Sequence, residues 1–455
     1  MTASPFKAYD LRGRVGEHLD EALMHRLGSA FAAEIAEGAP VVVGYDARDS
    51  SPVLAEALAE GLNAGGSDAL ELGLCGTEEV YFATDHAGAG GGLMVTASHN
   101  PLGDNGVKLV RRGARPISRD TGLAAIEAQV MGGRAPRGTG VGKRRALSCR
   151  DAYVERVTGF VDAQALPPAR VLANSGNGAA GPTLDAVLDA LAAQGARLDV
   201  VRMHHDPNPT FPNGIPNPLL TENQAPTSAA VRGAGADLGV AWDGDFDRCF
   251  FFDARGDFID GVYLVGLLAE AALAQEPGGT IVYDPRAVLN TRDIVARAGG
   301  KAVMGRTGHS LIKAYMREHD AVYGGEMSAH HYFRDFMFCD SGMIPWLLVL
   351  ARMGAANAPL DELVAERLAA FPVSGERNFR LADADAAIER VETAYGPHAG
   401  DRDDSDGMSL EFEAWRFNLR RSNTEPLVRL NVESRGDPDR VATEVARISA
   451  LLHGD

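Results

Sequence analysis

Three stretches of this chain repeat one pattern of short apolar strand, polar loop, amphipathic helix and second strand: VVVGYDARDSSPVLAEALAEGL from Val41, VLANSGNGAAGPTLDAVLDALAAQG from Val171, and IVYDPRAVLNTRDIVARAGG from Ile281. Self-similarity of that kind reads as an internal repeat of α/β units. In each repeat a later strand runs into a Gly-rich or charged loop: GLMVTASHNP at Gly92–Pro101, DLGVAWDGDFDR at Asp237–Arg248, and AVYGGEMSAHH at Ala321–His331. Ligands of open α/β sheets bind outside the carboxyl ends of strands, so the three loops are expected around one central cleft. After Phe371 the pattern changes to the strands SLEFEAWRFNLRR and LVRLNVES and the helix DPDRVATEVARISALLHG, which predicts a C-terminal α+β domain.

With 455 residues and a prior of ~100 to 200 per domain, this organisation predicts four domains: residues 1–147, 148–252, 253–368 and 369–455. The N-terminal MTASPFKAYDLRGR has no apolar core of a leader, and no later stretch has the uncharged apolar length of a membrane span. A cytoplasmic protein with no membrane partner is therefore expected. Cys75, Cys149, Cys249 and Cys339 are isolated from one another, which argues against a disulfide framework or a zinc site. The formal net charge of −18 disfavours nucleic acid as a partner. An anionic small substrate would need a local basic pocket.

Asp243-Gly-Asp245-Phe-Asp247-Arg248 places three carboxylates at i, i+2 and i+4 just past an apolar strand. An all-oxygen set suits a hard cation, Mg²⁺ over Zn²⁺, whereas a solvated acidic turn is the bland alternative. Arg248 is not a cation ligand but is suited to phosphate oxygens beside one. Thr96-Ala97-Ser98-His99-Asn100-Pro101 follows a strand and ends in a Pro that stops its extension, which would thrust Ser98 into a cleft; a simple turn is the other reading. The Asn105-Gly106 pair signals a tight turn that would fold Lys108 back beside the serine.

In the loop from Gly324, Glu326 and Ser328 are suited to vicinal sugar hydroxyls, and His330 to the sugar or to a proton. Arg420-Arg421-Ser422-Asn423-Thr424-Glu425-Pro426, with Arg429, is expected on a turn between two strands as a nest for a phosphate dianion. Thr307-Gly308-His309-Ser310 adds a histidine between a strand and a helix, where helix capping is the bland reading. The run Asp401–Asp406 reads as a solvated loop.

TASHNP, DGDFDR, GEMSAHH and RRSNTEP stand in the order and spacing of the α-D-phosphohexomutase superfamily, which the chain resembles over essentially its whole length. The wording GEMSAHHYFRD and SNTEPLVRLNVESRG is most similar to its bacterial phosphomannomutase branch; phosphoglucosamine mutases more typically have Gln where Met327 stands. The resemblance implies that Ser98 carries a phosphoryl group, that Asp243, Asp245 and Asp247 bind Mg²⁺ together with it, and that Arg12, Lys108, Arg248 and His309 surround the reacting phosphate. It further implies that Glu326, Ser328 and His330 recognise the sugar, and that Arg420, Ser422, Asn423 and Thr424 hold the non-reacting phosphate. Phe246 departs from the Gly often found in this metal loop.

The activity so implied interconverts mannose 6-phosphate and mannose 1-phosphate, with glucose phosphates as further or even preferred substrates, through a phosphoserine enzyme and a hexose 1,6-bisphosphate. Lys108, His309 and His330 all remain open as the proton-transfer group. A hexose-phosphate hydrolase using an Asp nucleophile and a non-catalytic sugar-phosphate sensor are the rival readings. A monomer or weak dimer is expected.

Overall fold

The computed structural model describes residues 4–133, 141–421 and 427–454. The chain forms two compact units, one of Met1–Ile259, Met316–Asp320 and Ser328–Leu360, the other of Asp260–Tyr315, Ala321–Met327 and Asp361–Asp455.

In the first unit the opening repeat puts the strand Val41–Tyr45 between Ala69–Leu74 and Gly91–Val95, both parallel to it. The sheet then turns antiparallel through Asp104–Arg111 to Asp10–Arg14. Leu23 and Leu27 of the helix Glu21–Phe31, and Leu54, Leu58 and Leu62 of Ser51–Ala64, recur at four-residue spacing and bury one face of each helix in a core with Val41 and Val43. Asp20 accepts the Leu23 N–H at 2.7 Å and starts the first helix, and Pro52 opens the second. The second repeat gives another mixed sheet: Ala169–Asn174 lies parallel between Leu198–Met203 and Leu238–Trp242, and Cys249–Phe252 returns antiparallel to Leu238–Trp242.

In the second unit Thr280–Tyr283 lies parallel between Lys301–Met304 and Tyr323–Gly325. The C-terminal strands form an antiparallel sheet in the order Arg377–Phe379, Val428–Ser434, Trp415–Arg421, Met408–Glu411, Asp401–Asp403. Side chains alternate across a strand, so Trp415, Phe417 and Leu419 enter the apolar core while Arg416, Asn418 and Arg420 share the opposite face. Three α/β modules with mixed sheets and a C-terminal α+β module are thus present, as the repeats predicted. Among the described residues no single helix is long and apolar enough to cross a membrane. All four cysteines are buried and free.

Three local expectations are corrected. Asn105 and Gly106 lie inside the strand Asp104–Arg111 rather than on a turn. The chain reverses earlier, where the Asp104 N–H donates to the Pro101 carbonyl at 3.1 Å and Gly103 takes φ +95°. Glycine stands at 106 because a Cβ there would come within 2.2 Å of the Leu11 carbonyl on the neighbouring strand. Arg420 is on the strand Trp415–Arg421, directly opposite Arg429, not on the turn that follows. In the run Asp401–Asp406 the first three residues form a strand rather than a loop, and Asp406, half-buried on the turn that follows, accepts the Thr307 N–H at 3.0 Å.

Within the first unit Glu78, at the start of the helix Thr77–His86, is fully buried. Its carboxyl accepts the Gly342 N–H at 2.5 Å and the Tyr153 hydroxyl. Burial outweighs these donors and pushes its pKa from 4.5 up to about 8. A carboxyl whose folded pKa lies above its unfolded value stabilises most while protonated, so its contribution fades as pH rises from about 4.5 through about 8. Thermal melts across pH 5 to 9 are expected to show Glu78→Gln losing less stability with rising pH than the parent; parallel curves would exclude Glu78 as the source of the slope.

Candidate active site

The loop after the strand Gly91–Val95 holds Ser98 at φ +50°, a left-handed conformation that a non-glycine residue adopts only when its surroundings enforce it. The enforcement is visible. The Ser98 N–H donates to the Thr96 hydroxyl at 2.8 Å, and that hydroxyl donates to Asp46 Oδ2 at 2.8 Å. Asp46 also accepts the Ser51 hydroxyl and the Arg48 N–H. Buried Arg48 spreads its guanidinium over the loop, donating to the carbonyls of Ser98 (3.0 Å), Asn100 (2.6 Å), Pro101 (3.0 Å) and Asp104 (3.1 Å). Arg12 joins Asp10 to the same loop by donating to Asp10 Oδ2 at 2.7 Å and Asn100 Oδ1 at 2.9 Å.

Ser98 Oγ donates to Asp243 Oδ2 at 2.6 Å and lies 3.0 Å from His99 Nδ1. Asp243, Asp245 and Asp247 follow the strand Leu238–Trp242, are all buried, and each offers an oxygen within 4.8 Å of the others. Lys108 reaches them because its strand runs antiparallel to Gly91–Val95, opposite Met94. Its ammonium donates to Asp245 Oδ2 at 2.7 Å and to Asp247 Oδ2. Arg248 donates to Asp243 Oδ2 from Nε at 2.9 Å and Nη2 at 2.8 Å, and Nη2 also meets His99. Thr77 adds a hydroxyl donor to Asp245 Oδ2 at 2.6 Å, and its N–H donates to the Asp245 carbonyl at 3.1 Å.

Burial opposes charge on every one of these groups, and partners decide the outcome. For Asp245 the nearby Lys108 ammonium prevails and holds the pKa below the usual carboxylate range. For Asp247 burial and then the Asp245 charge push the pKa up to about 6. Lys108 is buried too, yet Asp245 and Asp247 raise its pKa, so it stays an ammonium at neutral pH.

Asp245 Oδ1 and Asp247 Oδ1 are buried with no hydrogen-bond partner. Such bare carboxylate oxygens are costly unless something positive meets them, so the set of three aspartates fits a divalent cation. Phe246, the departure in this loop, takes φ +43° and is fully buried; a Cβ on Gly76 would meet its ring at 2.2 Å. The aromatic ring thus seats the carboxylate loop against the start of the helix that carries Thr77. His330 stands close by, with Nδ1 3.0 Å from Asp340 Oδ2 and 4.0 Å from Asp247 Oδ1. Ser328 is half-buried in the loop leading to it.

The second unit holds the remaining expected residues. Glu326 accepts the Gly308 N–H at 2.9 Å, next to His309 at the start of the helix His309–Glu318. Arg286 pairs with Asp284 and lies 3.5 Å from both Glu326 and Glu376. Glu376 in turn meets Arg420 at 3.2 Å and Arg429 at 3.0 Å. Ser422, Asn423 and Thr424 lie outside the described residues.

The first unit therefore brings together Ser98, Arg12, Lys108, Arg248, His330 and the three aspartates. The second links Glu326 to Arg420 through Arg286 and Glu376. Sequence reasoning missed Asp46, Arg48, Thr77, Asp340, Arg286 and Glu376. For Asp46, Arg48 and Arg286 a signal existed: the opening strands of the first and third repeats end in the same pattern, Tyr45-Asp46-Ala47-Arg48 and Tyr283-Asp284-Pro285-Arg286.

Comparison with known proteins places the site in context. The four models of the phosphoglucomutase/phosphomannomutase group match in order, the alpha/beta/alpha domains I, II and III over residues 3–136, 151–256 and 260–371, and the C-terminal domain over 376–451. A protein of Xanthomonas campestris described as phosphohexose mutases is 53% identical over 454 residues, covering 100% of both chains. A phosphomannomutase of Salmonella typhimurium is 53% identical over 450 residues, 98% of each. The crystal structure of a phosphoglucomutase/phosphomannomutase family protein from Burkholderia thailandensis superposes with a TM-score of 0.87 at 31% identity, covering 99% of this chain and 98% of that one.

Proposed function

Because the chain belongs to the phosphoglucomutase/phosphomannomutase family, we propose that it interconverts mannose 6-phosphate and mannose 1-phosphate by way of phosphorylated Ser98 and a hexose 1,6-bisphosphate, with glucose phosphates as alternative substrates. The observation that carries this reading is the 2.6 Å contact of Ser98 Oγ with Asp243, beside two bare carboxylate oxygens on Asp245 and Asp247. A nucleophilic oxygen next to a set of hard oxygen donors is what reversible phosphoryl transfer asks for. The division of labour follows four domains with boundaries near residues 147, 252 and 368, each supplying one loop.

The three aspartates with Ser98 would hold Mg²⁺, which would supply charge neutralisation at the phosphoryl oxygens. The protein's own groups do the rest. In the forward step the bond from Ser98 Oγ to phosphorus breaks as the bond from phosphorus to the sugar hydroxyl forms, and the hydroxyl proton passes to a base. Lys108 is a poor base, because two carboxylates keep it protonated; it serves as a fixed positive charge, with Arg248 and Arg12, around the transferring group. His330 is the better base, since Asp340 lies 3.0 Å from its Nδ1 and orients the ring. Glu326 and Ser328 bond sugar hydroxyls, and Arg420, with Ser422, Asn423 and Thr424, holds the other phosphate. After the bisphosphate turns over, its second phosphoryl group returns to Ser98.

The test is intact mass and peptide mapping of the full chain before and after incubation with mannose 1,6-bisphosphate and Mg²⁺. One phosphate on the peptide containing Ser98, absent in Ser98→Ala and exchanging with sugar phosphate, is the expected result. Phosphate on an aspartate, or on nothing, would overturn the reading in favour of a hydrolase or a sensor.

A further inference from the structure

Three cationic side chains of the second unit converge on one carboxylate. Both oxygens of Glu376 are engaged: Oε2 by Arg420 at 3.2 Å and Arg286 at 3.5 Å, Oε1 by Arg429 at 3.0 Å. Arg420 and Arg429 stand directly opposite each other on paired antiparallel strands, a placement that repels unless an anion lies between them. Arg286 comes from the loop after the strand Thr280–Tyr283, and Glu376 immediately precedes the edge strand Arg377–Phe379. Arg286 and Arg420 are buried, so water neutralises little of their charge.

Resting on the reading that Arg420 holds the substrate's non-reacting phosphate, we propose that Glu376 is the resting occupant of that anion site, displaced by the incoming phosphate, and that it thereby sets how tightly hexose phosphate is held and how fast it leaves. The charge count supports displacement over addition. Arg286 is already paired with Asp284 and Glu326, and Glu376 supplies a countercharge shared by Arg420 and Arg429, with Asp406 a weaker negative charge near Arg420. A dianion with three oxygens outcompetes a monoanion with two for the same guanidinium groups. Once the phosphate departs, the carboxylate returns, so Arg420 and Arg429 meet an anion in either state. For a reaction whose bisphosphate must leave and re-enter the opposite way round, a built-in competitor keeps that release fast.

Glu376→Gln keeps the shape and removes the charge. In the full chain carrying Ser98→Ala to prevent turnover, calorimetric titration with inorganic phosphate and with mannose 6-phosphate is expected to show Kd lowered about fivefold to tenfold by Glu376→Gln. With Ser98 intact, the same substitution lowers KM and kcat together, as slower release dictates. Unchanged or weaker phosphate binding would overturn the inference. Should the Gln variant not fold, Glu376→Asp, which shortens the reach to the three arginines, is expected to tighten phosphate about twofold to threefold, and no tightening would count equally against it. Tighter phosphate with no binding of mannose 6-phosphate to any variant would uphold Glu376 while sinking the hexose reading.

Discussion

Asp245→Asn is expected to lower kcat by about a thousandfold or more and to weaken Mn²⁺ binding, followed by electron paramagnetic resonance, by about a hundredfold. The substitution is nearly isosteric, so its effect isolates charge. Asp245 serves two masters: Oδ1 is bare and buried, whereas Oδ2 receives the Thr77 hydroxyl at 2.6 Å and the Lys108 ammonium at 2.7 Å. Removing the charge takes one anionic donor from the cation and one of two carboxylates from Lys108, which loosens the cation that should face the transferring phosphoryl group. Mn²⁺ binding is read without turnover, so it separates loss of the ion from loss of chemistry. Normal Mn²⁺ affinity in the Asn variant would remove Asp245 from the ligand set, whatever happened to the rate.

Arg48→Lys presents the opposite profile. Lysine keeps the positive charge beside Asp46, but a point ammonium cannot span the four carbonyls that the guanidinium fork reaches between Ser98 and Asp104. Left without that support, Ser98 is held at φ +50° only through Thr96 and Asp46, and the proposed nucleophile wanders from its aim. A shift of about 1 Å in a reacting group costs on the order of a hundredfold in rate, which is the fall in kcat expected here. KM and Mn²⁺ affinity should stay within about twofold, since neither the carboxylates nor the arginines of the second unit depend on Arg48. Stability should drop by about 2–4 kcal/mol, as for other buried charged donors. A lowered melting temperature with unchanged kcat would assign those four bonds to folding alone.

Much of the site was legible because it sits where strands end. The alternation of aspartates after Leu238–Trp242 and the serine after Gly91–Val95 are local patterns, and local patterns survive in a sequence. Lys108 was expected beside the serine through a turn at Asn105-Gly106; strand pairing instead carries it to Asp245 and Asp247, and Gly106 is dictated by the crowding of Leu11. Arg48 and Thr77 act on groups about 50 and 168 positions away along the chain, through contacts that leave no spacing to read. Glu376 reads as one more acidic residue until the fold lays Arg420 against Arg429. Phe246 looked like a departure and is a wedge, its backbone in the region that glycine favours and its ring fully buried.

The two compact units are not two lengths of chain. The polypeptide changes unit after Ile259, Tyr315, Asp320, Met327 and Leu360, so the third repeat is shared between them. No single cut in the gene releases either unit whole. Fragments expressed from such cuts would carry an incomplete core, and a graft that moved only the C-terminal module from a relative would leave the other pieces of its unit behind. Recombination within this family is therefore best attempted by exchanging whole chains or single loops, with the crossover points kept away from residues 260–361.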